Sequence, residues 1–384
     1  MANVSSSNGL EKYPKLRFKG FSEPWTQVLL SDFFKKSTKK NSDGSITNVI
    51  CNSAKNGLIP QREYFDKSIA NSDNTDGYYI IEQGDFVYNP RKSSDAPYGP
   101  VSIYKYPESG IVSPLYLCFR ALKPINSSFY DYFFKSPSWH RYIYLSGDSG
   151  ARHDRVSIKD DVFFSMPVCI PSEEEQLKIS SFLSLIEKRI ADQQQLVEHL
   201  KKYKRGVLNT IFSTKLDSQN SGILLSDICS SISSGKTKIT TTNGRYPLFG
   251  STGIVGSTDC AECSGKIVLV ARVGANAGLV NYFEGVCGVT DNTLVLKFTD
   301  QKLLPKLVYH YLQYYDVNKM VFGSGQPLVT GGQLKSIILP NLGDAQIKKI
   351  VKFLDLLDER IAHAVKELHN LTLFKKSIYQ NMFI

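Results

Sequence analysis

The sequence predicts an α+β protein: two mixed, β-dominated domains in tandem, separated by two long antiparallel coiled-coil helices, with an internal pseudo-two-fold repeat. Three observations predict this class. The nonapeptide FLSLIEKRI at 182–190 recurs as FLDLLDERI at 353–361. An apolar stripe with helical spacing extends through each copy. Segments rich in Val, Ile, Tyr and Phe, broken by Gly, Asn, Asp and Pro, precede each stripe and indicate β-strands.

Each apolar stripe alternates steps of four and three residues, which predicts a helix with a seam that repeats every seven residues. The second stripe keeps the register of the first, so that Ala364 matches Gln193 and Lys375 matches Lys204. We therefore expect the helices to pack on each other and to set the distance between the domains. The alternative is that each helix only covers the core of its own domain. The residues predicted to pack the helices together are Ile179, Leu183, Ile186, Ile190, Val197 and Leu200 in the first helix and Ile350, Leu354, Leu357, Ile361, Leu368 and Leu371 in the second.

Local signals refine the first helix. Ser172 followed by Glu175 predicts a capping box at its beginning. Phe182 is expected to face the partner helix together with the packing residues. The charged triplet at 187–189 is expected to face solvent or a partner protein.

The repeat and the composition divide the chain into six segments. Some helix is also expected inside the domains, for example at 129–144 and 304–315. The predicted segments are a polar N-terminal tail at 1–13, a first domain at 14–171, a central helical spacer at 172–213, a linker at 214–222, a second domain at 223–340 and a C-terminal helical spacer at 341–384.

Composition limits the class of protein. The chain has 384 residues, of which 42% are hydrophobic and 21% charged, which is typical of a globular protein of two or three domains. Its formal net charge of +10 favours a polyanionic partner, either nucleic acid or an acidic membrane surface. No apolar run reaches the ~18 residues of a membrane span, and no signal-peptide core begins the chain. We expect a cytoplasmic protein.

The seven cysteines are scattered and odd in number, which is typical of reduced thiols in a cytoplasm. Cys260 and Cys263 form an isolated CxxC, and Cys229 and Cys287 would have to complete a zinc site with them. A structural zinc site normally has a second close pair of ligands, and the sequence contains none. We expect small buried thiols and no metal site.

The repeated elements carry motifs that, taken together, resemble the specificity subunit of type I restriction–modification systems over nearly the whole chain. In the second copy, the Gln lies one residue further from its Ile than in the first, and the helix register is unchanged. The motifs are PKLRF at 14–18, Trp25, LLSD at 29–32, Pro171 with EQLKI at 175–179 and FL at 182–183, and the counterparts Pro340, Gln346, Lys349-Ile350 and Phe353-Leu354.

The resemblance implies a prokaryotic cytoplasmic protein with two target-recognition domains that read a bipartite, asymmetric site in double-stranded DNA, one half-site per domain. It also implies binding to two methyltransferase (modification) subunits and, through them, to restriction/translocase subunits. Those partners would carry S-adenosylmethionine, ATP and Mg. The chain itself would hold no cofactor and would only choose the sequence.

We expect the chain to be non-catalytic. Its nearest approach to the (Asn/Asp)-Pro-Pro-aromatic motif of adenine methyltransferases is NPRK at 89–92, which lacks the second Pro and the aromatic residue. It has no Gly-x-x-x-x-Gly-Lys-Ser/Thr loop for nucleotide phosphates. Two alternatives stay open: the DNA-recognition part of a fused restriction and methylation enzyme, and a basic coiled-coil scaffold without sequence preference.

DNA contacts are predicted in four polar stretches at 89–94, 146–155, 272–276 and 323–328. Arg, Lys, Asn, Gln and Ser side chains can reach base edges, while Lys, Arg and the amides of Gly-rich loops bind phosphates. The stretches occupy matching places in the two halves, which favours function over chance. The predicted DNA-binding residues are Asn89, Arg91, Lys92, Ser149, Arg152, His153, Arg155, Lys236, Lys238, Arg245, Arg272, Asn276, Ser324 and Gln326.

Overall fold

The computed structural model describes residues 12–64, 75–147, 154–216, 222–238, 243–321 and 327–384. The chain forms two compact units. Unit 1 comprises Met1–Asp192 with Leu368–Ile384, and unit 2 comprises Gln193–Glu367. Each unit combines helices with short strands, which confirms the predicted α+β class with two mixed domains in tandem.

Unit 1 is built around a four-stranded antiparallel sheet in the order β2-β9-β6-β7, and three two-stranded pairs, β1-β10, β3-β4 and β5-β8, accompany it. Its strands are β1 (Thr26–Leu29), β2 (Phe34–Lys36), β3 (Ile50–Ser53), β4 (Gly57–Pro60), β5 (Tyr79–Ile81), β6 (Phe86–Tyr88), β7 (Val101–Ile103), β8 (Gly110–Val112), β9 (Leu117–Ala121) and β10 (Pro167–Ile170). Its helices are α1 (Gln61–Tyr64), α2 (Ser127–Lys135), α3 (His140–Ser146), α4 (Asp160–Phe164) and the first part of α5 (Glu173–Leu216), with a 3-10 turn at Leu30–Asp32.

The core of unit 1 is aromatic. The rings of Phe86 and Phe119 stack at 5.5 Å, and Phe34 packs edge-on against both. The apolar face of α2 covers them with Phe133 and Phe134. Aromatic rings bury ~150–250 Å² each, so a few of them provide most of the core. This accounts for part of the high Phe content of the sequence.

The helix predicted at 129–144 is two helices, α2 and α3. The break lies at Ser136, whose backbone is extended, with ψ of 162°. Pro137 follows it, and a proline disfavours helical backbone at the preceding residue and has no N–H to donate. The sequence signal for the break was therefore present in Pro137. The helix predicted at 304–315 is confirmed as α7 (Leu304–Tyr315).

Unit 2 contains a six-stranded sheet in the order β12-β17-β15-β16-β13-β14, with one parallel pair, β13 and β16. Its strands are β11 (Ile223–Leu224), β12 (Cys229–Ser234), β13 (Tyr246–Gly250), β14 (Gly253–Thr258), β15 (Cys263–Ala271), β16 (Val280–Val289), β17 (Thr293–Phe298) and β18 (Ile338–Leu339). Its other helices are α6 (Leu225–Ile228), α7, a 3-10 turn at Val317–Met320, α8 (Gly331–Lys335) and the first part of α9 (Asp344–Met382).

Strand β15 has both faces buried. Val268 and Val270 belong to a core shared with α7, while Ile267 and Leu269 belong to a second core on the other face. Successive strand residues point to opposite faces, so a continuous apolar run indicates a strand that is covered on both sides.

The helices α5 and α9 pack antiparallel within each unit. In unit 1, Ile179 and Leu183 near the beginning of α5 share a core with Ile378 and Met382 at the end of α9. In unit 2, the later part of α5 shares a core with the beginning of α9. Trp25 and Phe129 of the first domain belong to the same unit 1 core. The helices therefore pack on each other and also cover a domain core, and the second of these features is what the alternative expected.

None of the twelve residues predicted to pack the helices together is exposed. The buried members are Ile179, Leu183, Ile186, Val197, Leu354 and Leu357, and the half-buried members are Ile190, Leu200, Ile350, Ile361, Leu368 and Leu371. Polar residues also lie in the seam. In unit 2, the amide of Gln193 donates to the carbonyl oxygen of Ala364 at 2.9 Å, so the two matched positions contact each other.

One ion pair occurs twice, once in each unit. In unit 1, Lys375 Nζ donates to Glu187 Oε1 at 2.9 Å, and in unit 2, Lys204 pairs with Asp358. Lys204 and Glu187 are the repeat counterparts of Lys375 and Asp358. The expectation that Glu187 faces solvent or a partner protein is therefore wrong. The Glu187 carboxylate faces α9 because Lys375 on that helix pairs with it.

Several contacts surround Glu187. Burial opposes its ionisation, but the ammonium groups of Lys135 and Lys375 and the Tyr379 hydroxyl outweigh this, so the pKa of Glu187 lies below its ordinary value. This carboxylate therefore ties α2 and α9 to α5 in unit 1.

Two local expectations about α5 are also corrected. Ser172 Oγ accepts from the Glu175 N–H at 3.4 Å, as a capping box requires, but the Glu175 carboxylate forms a two-point ion pair with Arg17 at 2.8 Å instead. The Phe182 ring packs edge-on against Phe18 at 5.4 Å, so it meets the N-terminal segment of unit 1.

We predict that Glu187→Ala destabilises unit 1 by about 1–3 kcal/mol, because it leaves Lys375 partly buried without its acceptor. Asp358→Ala should have a similar effect on unit 2. Urea unfolding measures both free energies, and the matched control is Asp192→Ala, which removes an exposed carboxylate from the same helix. Equal stability of Glu187→Ala and Asp192→Ala would contradict the structural role of the pair.

His310 is a titratable group where α7 packs against α5 and α9. Its side chain is fully buried, and Nε2 lies 3.1 Å from Asp355 Oδ1 on α9. Burial lowers its pKa below the ordinary value, while Asp355 acts in the opposite sense. Asp358 on α9, Lys204 on α5 and Lys306 on α7 are the other charged groups of this cluster.

The lowered pKa predicts how stability depends on pH. The unfolded chain binds a proton at His310 near pH 6.5, whereas the folded chain does so only at lower pH. Stability is therefore complete above about pH 6.5 and falls below it, by up to about 1.4 kcal/mol per pH unit for one group. We expect His310→Gln to flatten the loss of stability between pH 7.5 and 5.5 in urea unfolding. The exposed His199→Gln is the control, and an equal flattening by both would refute the assignment.

Candidate nucleic-acid interface

Two of the predicted DNA-binding stretches meet in unit 1. The N–H of Lys92 donates to Asp154 O, and the N–H of Val156 donates to Pro90 O, both at 2.9 Å. Arg91 and Arg155 are opposite each other in this antiparallel bridge. The structure thus joins residues about sixty positions apart in the sequence, and two arginines lie together as a result.

Asn89 holds the turn that begins this bridge. Its Oδ1 accepts from the Arg91 N–H at 3.0 Å, and its Nδ2 donates to Asn52 O at 3.1 Å. Asn residues commonly stabilise turns in this way. Gly99 lies so close that any side chain there would collide with the Asn89 carbonyl. The amide of Asn89, predicted to contact DNA, therefore has intramolecular partners at both ends.

A cleft of about 780 Å³ opens beside the bridge. The tip of the β3–β4 hairpin contributes Lys55 and Asn56 to it, and α1 contributes Gln61. Sequence reasoning missed these three residues. The signal was available, because Asn56 precedes a glycine with φ of 69° and Asn-Gly is a strong indicator of a hairpin turn. Arg91, Lys92, Ser93 and Arg155 also line the cleft.

Positively charged side chains line the cleft, and two of them are open to solvent. Arg91 and Lys92 are exposed. The Nε of Arg155 is buried and has no hydrogen-bond acceptor within the described residues, and the nearest carboxylate oxygen, on Asp154, is 3.8 Å away. Guanidinium and ammonium groups are the usual partners of phosphates and of guanine edges in DNA.

The other two predicted stretches meet in unit 2 in the same way. The N–H of Gly274 donates to Pro327 O at 3.2 Å, and the N–H of Val329 donates to Arg272 O at 2.9 Å. Val273 and Leu328 form the bridge between them. Gly274 has φ of 82°, a conformation that favours glycine. A backbone bridge between two distant segments therefore recurs in both units.

The remaining predicted residues of unit 2 are distributed around its sheet. The N–H of Gly235, which precedes Lys236, donates to Thr293 O, and the N–H of Arg272 donates to the neighbouring Asn292 O. Lys236 and Arg272 thus both lie beside the beginning of β17. Asn276 is exposed and lines a separate pocket of about 320 Å³.

Lys238 and Arg245 are exposed, and Arg245 lies 3.5 Å from Asp259. No described contact joins either of them to the bridge at Arg272. Five predicted residues lie outside the described part of the chain: Ser149, Arg152, His153, Ser324 and Gln326.

No group of three or more residues able to hold a metal ion occurs in the described ranges. Cys263 lies opposite Cys287 on β15 and β16, and both are buried, while Cys260 is exposed. The expectation of a buried thiol is therefore wrong for Cys260. Within the described chain, no helix has the length and apolar character needed to cross a membrane.

Comparisons with known proteins identify a matching family model and similar solved structures. The family model of the type I restriction modification DNA specificity domain matches residues 223–371. The crystal structure of a type I restriction–modification system S subunit from M. genitalium is similar, with 18% identity, a TM-score of 0.63, and coverage of 97% of this chain and 99% of that one. A search of curated proteins found no match.

A structure described as the basis of complex assembly and conformational transition of the type I R-M system is similar as well. It has 14% identity and a TM-score of 0.58, and the likeness covers 94% of this chain and 98% of that one. These likenesses show a shared fold along nearly the full length. Residues 223–371 thus match the type I restriction modification DNA specificity domain, and the predicted resemblance of the chain to type I specificity subunits is confirmed by this match and by the shared fold.

Proposed function

We propose that this chain is the DNA sequence-recognition subunit of a type I restriction–modification complex. It reads a bipartite, asymmetric site with one half-site per unit, and it positions modification and restriction subunits. It is not catalytic itself. S-adenosylmethionine, ATP and Mg act in the partner subunits.

The recurring bridge carries this proposal. Each unit joins two segments from distant parts of the sequence, Pro90–Lys92 with 154–156 in one case and 272–274 with 327–329 in the other. Two surfaces that bind the same kind of ligand are expected to share a backbone framework. The backbone bridge is the feature that both units share. Loops held by a rigid scaffold are the usual location of binding residues.

The side chains on the two bridges differ, which supports an asymmetric site. Unit 1 adds a cleft with Lys55, Asn56 and Gln61 beside its two arginines. Unit 2 offers Arg272 and the exposed Asn276 instead. Arg matches guanine and Asn or Gln matches adenine through paired hydrogen bonds, so different sets of these residues favour different half-sites.

Exposed apolar residues at matched positions of the helices support the binding of two modification subunits. In unit 1, Leu185 and Phe374 are 66% and 49% exposed, and in unit 2, their counterparts Leu356 and Tyr203 are both 56% exposed. Tyr203 lines an apolar groove of about 660 Å³ together with Phe353. Apolar residues that recur in this way indicate an interface that is used twice.

We predict that the double change Arg91→Ala and Lys92→Ala weakens binding at one half-site only. Loss of a base contact costs about 1–3 kcal/mol, and loss of a phosphate contact reduces the slope of log K against log salt by about one. Arg272→Ala should affect the other half-site. The measurement is fluorescence anisotropy of the complex with modification subunits, on duplexes in which either half-site is randomised.

The matched control is Lys15→Ala with Lys19→Ala, which removes two exposed positive charges from unit 1 away from the bridge. If this control weakens binding as much as the bridge variant, the effect is one of net charge and the assigned interface is wrong. If the bridge variant weakens all duplexes equally, the chain is a basic scaffold without sequence preference.

We also predict that Leu185→Asp and Leu356→Asp each remove one modification subunit from the complex. A carboxylate buried in an apolar contact without a partner costs several kcal/mol, enough to prevent assembly at that position. Mass measurement of the assembled complex reports the stoichiometry. Leu122→Asp, at a 50% exposed position outside the helices, is the control. Retention of both subunits by the two helix variants would reject this surface.

A further inference from the structure

Helix α3 in unit 1 presents two adjacent apolar side chains to solvent. Tyr144 is 71% exposed and Leu145 is 69% exposed, the highest values among the exposed large hydrophobic residues that the structure describes. The other side of α3 is well packed: Ile143 is buried, and the Tyr142 hydroxyl donates to Val162 O at 2.7 Å. The helix is therefore firmly seated, and its exposed side chains are not needed for the core.

The position of α3 is tied to the candidate interface at both ends. At its beginning, the ring of His140 lies 4.9 Å from that of Tyr98, in the loop that follows Arg91 and Lys92. At its end, Gly147 is so close to the other strand of the bridge that a Cβ there would lie 3.3 Å from Ser157 O. Helix α3 is thus held against the segments that form the bridge, at its beginning and at its end.

The composition of this face indicates a nucleic-acid ligand. Arg141, Tyr144 and Leu145 are all exposed and are spaced as i, i+3 and i+4, which places them on one side of the helix. Within the described residues, Arg141 forms no ion pair. A cation beside an aromatic and an aliphatic side chain matches a partly unstacked base step, where the apolar face of a base is accessible and a phosphate lies nearby.

Unit 2 offers no such face at the corresponding place. The segment that follows α7 is the 3-10 turn at Val317–Met320, and Val317 there is buried. None of the exposed large hydrophobic residues of the described chain lies between 304 and 321. The exposed apolar face is therefore a feature of unit 1 and not of the corresponding place in unit 2. The two units thus offer different contacts to their half-sites.

We propose that Tyr144 and Leu145 form an apolar wedge that contacts bases of the half-site bound by unit 1, with Arg141 on a neighbouring phosphate. The proposal rests on the proposed function and deepens it. Aromatic and aliphatic side chains inserted against base steps are a common means of reading how easily DNA deforms. Unit 1 therefore senses the stacking of its half-site in addition to hydrogen-bonding groups.

The test uses the full chain in complex with its modification subunits. We expect Tyr144→Ala and Leu145→Ala each to weaken binding of the target duplex about tenfold, since each removes an apolar contact with a base. The slope of log K against log salt should stay unchanged, because an apolar contact releases no counterions. Arg141→Ala should instead lower that slope by about one. In addition, 2-aminopurine in the unit 1 half-site should lose fluorescence on binding of the two apolar variants relative to the unmodified chain.

Leu122→Ala is the matched control, an exposed apolar residue of unit 1 outside the interface. If Tyr144→Ala and Leu145→Ala bind DNA like this control while the Arg91 and Lys92 variant does not, the wedge is refuted and the proposed function stands. If none of these variants affects DNA binding, the proposed function fails. If the apolar variants impair assembly with modification subunits in the absence of DNA, the face belongs to a protein partner and the wedge is refuted.

Discussion

Each unit depends on the antiparallel packing of α5 against α9, because neither globular domain closes its core alone. In unit 1, Trp25 and Phe129 of the first domain pack in the same cluster as Met382 and Phe383 at the end of α9. The N–H of Leu16 also donates to Asn381 O at 2.9 Å. Burial of apolar surface is the dominant stabilising effect in folding, so the domain and the distant helix have to form together.

The repeated ion pair gives this packing its register. An apolar seam with a seven-residue period tolerates a shift by one heptad, since another apolar residue then takes each position. Such a shift would separate Lys375 from Glu187 in unit 1 and Lys204 from Asp358 in unit 2. Lysine and carboxylate groups at half-buried positions are costly when they are unpaired. The charges therefore select one register out of several that the apolar residues permit.

The candidate interface has the same backbone framework in both units, whereas its side chains differ between them. Backbone hydrogen bonds build the bridge in both units, and these bonds do not depend on which side chains the bridge presents. The side chains around it can then change without loss of the fold. Under the proposed function, a subunit that recognises two different half-sites benefits from this separation, since binding residues usually lie on loops that a rigid scaffold holds.

The sequence by itself determined the helix pair and the order of the domains. Helical spacing is a local property, so Leu183 and Leu354 could be assigned to a seam from their positions alone. Sequence also identified the four polar stretches, but not that they meet in pairs, because a contact between Arg91 and Arg155 depends on the whole domain between them. Only the tertiary structure decided that Glu187 turns towards a lysine on the other helix. The tertiary structure also decided that the Asn89 side chain is hydrogen-bonded within a turn and that Tyr144 is exposed to solvent. These outcomes depend on packing between distant residues and on the cost of an unpaired buried charge. Neither can be predicted from a short stretch of neighbouring residues.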